Sequence, residues 1–173
     1  MNRFFAIVTF CAAAISAAAG FAESGLKISC KYGLLTVIGD QVVATNDEQY
    51  GKRLWFVEKR ESRTLLYTYV GENKVYMTAN QEGRVFVTQK PTEGSFWGAQ
   101  FPKKNDDERV ESWITCGIKP GPRRLIAEAK EATGDVKGKG EAVAARAMRL
   151  GEVPDPEYGP ADQLLFFIRR IAP

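Results

Sequence analysis

The segment from Thr64 to Phe101 contains four short apolar runs, each separated from the next by turn residues. The runs are LLYTYV, VYMTA, RVFVT and SFWGAQF, and the breaks lie around Gly71, Gly83 and Gly94. Short runs that are rich in Val, Tyr, Phe and Thr and are bounded by Gly, Asn or Pro are typical of β-strands. The segment therefore predicts a unit of four strands in about forty residues.

Similar but weaker units precede and follow this segment. The first unit contains an alternating strand at 26–32, a Gly39-Asp40 hairpin between LLTVI and QVVAT, and a closing strand RLWFVE. The third unit contains SWITCGI, RLIAEA, EAVAARAMRL and LLFFIRRI. Residues 141–150 fit a strand or a short helix, because Ala, Arg, Met and Leu favour helix. We expect a strand, since the other two units place one there.

The three units align on their aromatic residues. Trp97 lies 42 residues after Trp55, and Phe166 lies 69 residues after Trp97, so the third unit carries an insertion of about 27 residues. Repetition at a fixed period indicates the architecture more strongly than any single strand assignment. The pattern resembles the β-trefoil superfamily, the fold of ricin-B-type lectins, fascins, Kunitz soybean-type inhibitors and fibroblast growth factors.

The resemblance implies an all-β domain in which the first and fourth strands of each unit close a six-stranded barrel. The second and third strands of each unit would form a hairpin cap. The expected domain covers residues 23–173, with units at about 25–60, 61–102 and 110–173. The resemblance covers nearly the whole mature chain, but it does not specify a function.

The first 22 residues have the features of a secretory signal peptide. Arg3 precedes an apolar run, and small residues precede the expected cleavage between Ala22 and Glu23. The alternative is an N-terminal anchor helix. No other stretch is long and apolar enough to predict a membrane span. We therefore expect a secreted or periplasmic protein.

The charge balance of the mature chain is nearly neutral, at about +2 after removal of the signal peptide. It argues neither for nucleic acid nor for a strongly anionic partner surface. Cys30 and Cys116 are the cysteines of the mature chain, and cysteine pairs in secreted domains usually form disulfides. They occupy matching places in the first and third units, so we expect a disulfide between them. The alternative is two buried thiols.

The sequence offers little support for catalysis. It contains no histidine, which removes Ser-His-Asp and Cys-His machinery and the commonest metal ligand. Acidic pairs occur at Asp106-Asp107 and at Glu128 with Glu131, but the first pair lies in a linker of mixed charge. We expect no enzyme activity, no cofactor and no metal.

Aromatic and basic residues provide the remaining candidates for binding. Trp55, Trp97, Trp113, Phe56, Phe96, Phe166 and Phe167 lie in predicted strands, and we expect most of them in the core. Loop residues that could contact a sugar are Asp40, Tyr50, Asn73, Asn80 and Tyr158. The Gln-x-Trp pattern of ricin-type lectins does not occur in the closing strands, because Gln100 follows Trp97. That difference argues against ordinary ricin-type galactose binding.

The predicted contact surface is the insertion from Lys137 to Asp162, because long loops are often functional. Basic residues cluster nearby, at Arg123-Arg124, Lys137, Lys139, Arg146, Arg149 and Arg169-Arg170. They would either contact an anionic partner or simply remain solvated. We expect a lectin-like or toxin/effector-type module that recognises a glycan or a protein surface. The alternative is a protease inhibitor that presents this insertion or the Pro120-Gly121-Pro122 turn.

Overall fold

The structure is a computed structural model, and it describes residues 24–47, 54–103, 109–118, 123–127, 132–134, 143–151 and 165–171. Within these ranges the chain forms fourteen β-strands, one short 3-10 helix and no α-helix. The predicted all-β class is therefore confirmed. The proposed signal peptide and the cleavage site at Ala22 and Glu23 lie outside the described residues.

The strands follow the order of the predicted units. The first four are β1 (Gly25–Cys30), β2 (Gly33–Ile38), β3 (Gln41–Thr45) and β4 (Phe56–Arg60). The next are β5 (Arg63–Val70), β6 (Asn73–Ala79) and β7 (Val85–Thr88), followed by the 3-10 helix (Glu93–Ser95) and β8 (Trp97–Gly98). The last are β9 (Val110–Ser112), β10 (Thr115–Cys116), β11 (Arg123–Ala127), β12 (Ala132–Gly134), β13 (Val143–Gly151) and β14 (Phe166–Ile171).

Tight turns join consecutive strands into hairpins. Gly39 and Gly71 adopt positive φ values of 63° and 61° in the β2–β3 and β5–β6 turns, a conformation that glycine adopts without steric cost. The two hairpins pair in antiparallel register, with Ile38 opposite Gln41 and Val70 opposite Asn73. The glycines read from the sequence as turn signals therefore mark the hairpin turns.

The hairpins assemble into one curled, barrel-like sheet. Strand β1 pairs with β14, β14 with β9, β10 with β8, and β4 with β5. Two isolated bridges complete the series, since Leu65 pairs with Phe96 and Trp55 pairs with Leu26 of β1. Because β9 and β10 follow each other along the chain and Phe96 directly precedes β8, this series of pairings and chain connections leads back to β1.

The remaining hairpins pack together beside this barrel-like part. Strand β3 pairs with both β13 and β7, and β13 also pairs with β11. Residues 143–150, for which strand and helix were both considered, lie in β13, and the expected strand is confirmed. Met148 and Leu150 of this strand are buried in the main core. The middle of the predicted contact loop is therefore part of the folded sheet.

Two tryptophans occupy equivalent positions in the core. Trp55 and Trp97 are buried, at 0% and 3% exposure. The Trp55 indole Nε1 donates to the Leu35 carbonyl at 2.9 Å, and the Trp97 Nε1 donates to the Met77 carbonyl at 2.8 Å. Each acceptor lies 20 residues before its donor, and the acceptors are separated by the same 42 residues as the donors. The alignment of the first two units on these residues holds in three dimensions.

Two predicted strands are shorter than their apolar runs. In SFWGAQF the strand is limited to Trp97–Gly98, because the preceding residues form the 3-10 helix. The Ser95 hydroxyl accepts from the Thr92 N–H at 2.9 Å, which stabilises that helix. SWITCGI is interrupted between β9 and β10, where the Ser112 hydroxyl donates to the Trp113 carbonyl at 2.9 Å. Local hydroxyl bonds compete with strand pairing in both places.

Candidate recognition face on strands β4 to β6

A second apolar cluster lies outside the main core. It contains Leu65, Tyr67 and Tyr76, with Phe56 and Phe96 packed against it. Side chains on a strand alternate between its two faces, so the neighbouring Leu66 and Met77 lie in the main core instead. Strands β4, β5 and β6 therefore carry one face toward the core and a second, aromatic face away from it.

Four rings on this second face contact one another, and we call them the outer aromatic cluster: Phe56, Tyr67, Tyr69 and Tyr76. Phe56 stacks on Tyr67 with ring centroids 5.3 Å apart. Tyr69 meets both of those rings edge-on at 5.9 Å, and Tyr67 meets Tyr76 at 6.0 Å. Tyr69 is 47% exposed. Among the residues that the structure describes, it is the large hydrophobic side chain that lies at the surface.

A fixed ion-pair network borders the cluster. Glu58 Oε1 accepts from Arg60 Nε at 2.6 Å, and its Oε2 accepts from Lys74 Nζ at 2.7 Å and from the Tyr76 hydroxyl at 3.1 Å. The hydrogen bond from Lys74 is the main reason that the pKa of Glu58 falls to about 2, against a smaller opposing effect of burial. Glu58 is therefore a carboxylate at neutral pH and accepts these hydrogen bonds in its charged form.

The cations of this network also lie over the aromatic rings. Lys74 Nζ is 3.7 Å from the Tyr67 ring centroid and 5.3 Å from that of Tyr76. Partial burial opposes the charged form of Lys74, yet the hydrogen bond to Glu58 leaves its pKa raised. Because Lys74 covers Tyr67 and Tyr76, Tyr69 is the ring that this face presents to solvent. We call the surface formed by Glu58, Arg60, Tyr69 and Lys74 the recognition face.

The predicted loop candidates do not assemble into one site. Asp40 forms an ion pair with Arg84 at 2.9 Å. Asn80 shapes its own turn, since its Oδ1 accepts from the Arg84 N–H at 2.9 Å and its Nδ2 donates to Glu82 at 2.8 Å. Asn73 is exposed at the start of β6, next to Lys74 in sequence. Tyr50 and Tyr158 lie outside the described residues.

Several other candidates also lie outside the described residues. They are Asp106-Asp107, Glu128 and Glu131, the Pro120-Gly121-Pro122 turn, and the parts of the insertion on either side of β13, which include Lys137 and Asp162. Among the described residues, no group of three or more His, Cys, Asp or Glu side chains could hold a metal ion. Within the same residues, no helix is long and apolar enough to cross a membrane.

Five of the seven expected core aromatics divide between two environments, whereas Trp113 and Phe167 are only partly buried and belong to neither cluster. Trp55, Trp97 and Phe166 are buried in the main core, as expected. Phe56 and Phe96 instead pack against the second apolar cluster, which contains Leu65, Tyr67 and Tyr76. Tyr67, Tyr69 and Tyr76 are not among the residues predicted from the sequence to bind a partner. The signal was present as period-two alternation, with Phe56, Glu58 and Arg60 on one face of β4 and Tyr67 and Tyr69 on one face of β5.

The two cysteines are free thiols in the structure, where the sequence analysis expected a disulfide. Each thiol has a local environment of its own. Cys116 Sγ donates to the Gly94 carbonyl at 3.5 Å, whereas the Cys30 thiol lies beside the backbone N–H groups of Tyr32 and Gly33 in the turn after β1. Burial raises the pKa of both thiols, which disfavours the reactive thiolate.

Comparison of the chain with protein-family models finds no match. Comparison with curated proteins also finds no similar sequence.

Proposed function

We propose that this chain is a secreted or periplasmic, non-enzymatic recognition module with the β-trefoil fold. Two observations support the fold. The pairings and chain connections of the barrel-like part lead back to β1, and the hairpins β2–β3, β6–β7 and β11–β13 meet one another. The matched hydrogen bonds of Trp55 and Trp97 support the internal repeat.

The functional proposal is based on the recognition face. Tyr69 is an exposed ring held edge-on by Phe56 and Tyr67, so docking a partner on it costs little side-chain entropy. Tyr and Arg are enriched in the anchoring residues of protein interfaces. Lys74 lies directly opposite Tyr69 in the β5–β6 register, and its ion pair with Glu58, which also binds Arg60, continues the charged surface along the same face. We propose that Tyr69 anchors a partner protein and that the charged residues set its orientation.

The charge network favours a protein partner over a glycan. Sugar recognition needs an aromatic platform beside polar groups that can bind hydroxyls. Both oxygens of Glu58 are already engaged, one by Arg60 and the other by Lys74 and Tyr76. The ring of Tyr67 is covered by Lys74. A glycan therefore remains the second partner class, and the same experiment separates the two.

The experiment compares the wild-type chain with Tyr69→Ala and Tyr69→Phe on a protein array and a glycan array. We expect saturable binding to a protein that weakens about tenfold or more in Tyr69→Ala, because an aromatic anchor is lost. Tyr69→Phe keeps the ring and should retain most of the binding. Lys27→Ala, an exposed change on β1, is the control for a general surface effect.

Three other results would change the proposal. Saturable glycan binding that depends on Tyr69 would replace the partner class and keep the face. Protein binding unaffected by Tyr69→Ala would remove the face. Stoichiometric inhibition in a protease panel would favour the inhibitor alternative, which requires residues 120–122 or the segments that flank β13.

N-terminal sequencing of the exported protein tests the cleavage after Ala22.

A further inference from the structure

Three arginines from two of the packed hairpins lie at neighbouring positions in the sheet. Arg84 precedes β7, Arg149 lies in β13 and Arg124 lies in β11. Arg84 forms an isolated bridge with Arg149, and Arg124 pairs with Gly151, two residues beyond Arg149. We call Arg84, Arg124 and Arg149 the arginine row.

The strand register places all three side chains on the same face. Their neighbours Val85, Leu125 and Leu150 are buried in the main core. Because adjacent side chains on a strand point to opposite faces, the arginines point away from that core. Directly opposite residues have Cβ atoms about 5 Å apart, and diagonal neighbours lie roughly 7–8 Å apart. The register therefore places three arginine side chains on one outward face, attached at neighbouring positions on β11, on β13 and just before β7.

Neighbouring rings support two of these guanidinium groups. Arg124 lies 4.0 Å from the Trp113 ring centroid, and Arg84 lies 5.8 Å from that of Phe86. A guanidinium that lies over a ring can still bind a carboxylate or a sulfate through its N–H edge, and Nη2 of Arg84 already makes such a bond to Asp40 at 2.9 Å. The position of the rings thus presents the arginines as oriented anion-binding groups.

The acids described near the row do not balance its charge. Asp40 binds Arg84 at 2.9 Å, with both side chains more than half exposed, and Glu82 receives a hydrogen bond from Asn80 in the adjacent turn. Arg123 adds a further cation at this turn, where its Nη1 donates to the Gln81 carbonyl at 2.9 Å. Like charges placed directly opposite each other, as Arg84 and Arg149 are, destabilise a sheet. A bound anion would relieve that repulsion.

We propose that the arginine row binds an anionic polysaccharide that carries carboxylate or sulfate groups, at a surface separate from the recognition face. A polysaccharide fits better than a single-stranded nucleic acid, because the rings that could stack on bases are covered by Arg84 and Arg124. It also fits better than a protein, because protein interfaces centre on desolvated aromatic anchors, whereas this row presents charge.

The test measures binding of fluorescent dextran sulfate and of polygalacturonate to the full mature chain, with neutral dextran as the reference polymer. Arg149→Gln removes an exposed cation and should weaken binding to at least one of the anionic polymers roughly tenfold, the loss expected for a hydrogen bond to a charged group. Arg169→Gln, an exposed change on β14 with the same loss of charge, should change binding by less than about twofold.

Each member of a second pair of variants removes a negative charge instead of a positive one. Asp40→Asn removes a repelling carboxylate and releases Arg84, so it should tighten binding several-fold. Glu72→Gln makes the same charge change in the β5–β6 turn and should have little effect. Equal effects of Arg149→Gln and Arg169→Gln would overturn the site. Equal binding of neutral dextran, or tighter binding of a single-stranded oligonucleotide that depends on Arg149, would overturn the partner class. Thermal melts of all variants establish that each is folded.

Discussion

At the scale of single residues, Gly94 shows how closely the chain packs against itself. Gly94 is buried in the 3-10 helix, and a Cβ atom at this position would overlap the carbonyl oxygen of Ala79. The carbonyl of Gly94 itself accepts from Cys116. A side chain at position 94 would therefore displace backbone from β6 and disturb the environment of Cys116.

We predict that Gly94→Ala destabilises the protein by about 2 kcal/mol, because backbone cannot move away as a flexible side chain could. Gly117→Ala is the matched control, since a Cβ atom there would meet no atom within 4 Å and Gly117 is exposed. Urea unfolding measures both free energies of unfolding. Equal midpoints for the two variants would show that the contact between Gly94 and Ala79 is not as close as described.

The cysteines give a second prediction at this scale. Burial raises the pKa of the Cys30 and Cys116 thiols, so little thiolate forms in the native state. We expect native protein at pH 8 to react with iodoacetamide at least about tenfold more slowly than unfolded protein. Both thiols should be alkylated after unfolding without reductant, as measured by mass spectrometry. Failure to alkylate them without reductant would instead support the disulfide expected from the sequence.

At the scale of elements, the period-two pattern of β4 and β5 could have been read as two-faced before the structure was known. It could not show which face meets the main core, because both faces contain large apolar side chains: Val57 and Leu66 on one, Phe56 and Tyr67 on the other. Nor could it show that Lys74 from a third strand lies on Tyr67. The recognition face thus depends on which strands pair and in what register. The local sequence pattern does not determine that pairing.

The Glu58 network gives the prediction for these strands. The folded-state pKa of Glu58 is about 2, below its ordinary value of 4.5, so its contribution to stability is complete above about pH 5 and is lost as the pH falls toward 2. We predict that Glu58→Gln removes about 1 kcal/mol at pH 7, a small value because solvent screens partly exposed ion pairs.

The difference between Glu58→Gln and wild type should shrink as the pH is lowered from 5 to 2. Glu61→Gln, an exposed change in the adjacent β4–β5 turn, is the control and should follow the wild-type curve. Thermal denaturation at several pH values measures the difference. A difference that stays constant across this range would show that Glu58 acts through packing and not through its charge.

At the scale of the whole molecule, the aromatic spacing was the most informative part of the sequence. The spacing predicts that Trp55 and Trp97 occupy equivalent positions, because each repeat buries its corresponding residue in the shared core. The matching hydrogen bonds of the two indoles agree with this prediction. Matching places in the repeat did not bring Cys30 and Cys116 together as a disulfide, since equivalent residues need not have side chains directed at each other. A sequence repeat therefore predicts the environment of a residue better than it predicts which other residue that side chain contacts.

Contacts between distant segments connect the barrel-like part of the sheet, and Arg170 makes three of them. From β14, its Nη1 donates to the Ser24 hydroxyl at 2.8 Å and to the Ser24 carbonyl at 3.4 Å, and its Nη2 donates to the Pro102 carbonyl at 2.9 Å. The guanidinium thus connects the start of β1, the segment after β8 and the last strand. Its Nε is buried without a hydrogen-bond partner among the described residues, so the cost of burying the group is not fully offset.

We predict that Arg170→Met destabilises the protein by about 2 kcal/mol, because hydrogen bonds from a charged group to two separate segments are lost. The apolar side chain retains much of the packing of the Arg stem and removes the unsatisfied Nε, which keeps the loss moderate. Arg169→Met, at the exposed neighbouring position, makes the same chemical change and should cost less than about 0.5 kcal/mol. If Arg170 closes the barrel-like part, hydrogen exchange should rise in β1 and β14 together, while β5 and β6 remain protected. Exchange that rises equally in all strands would mean that Arg170 contributes to global stability without a specific role in closure.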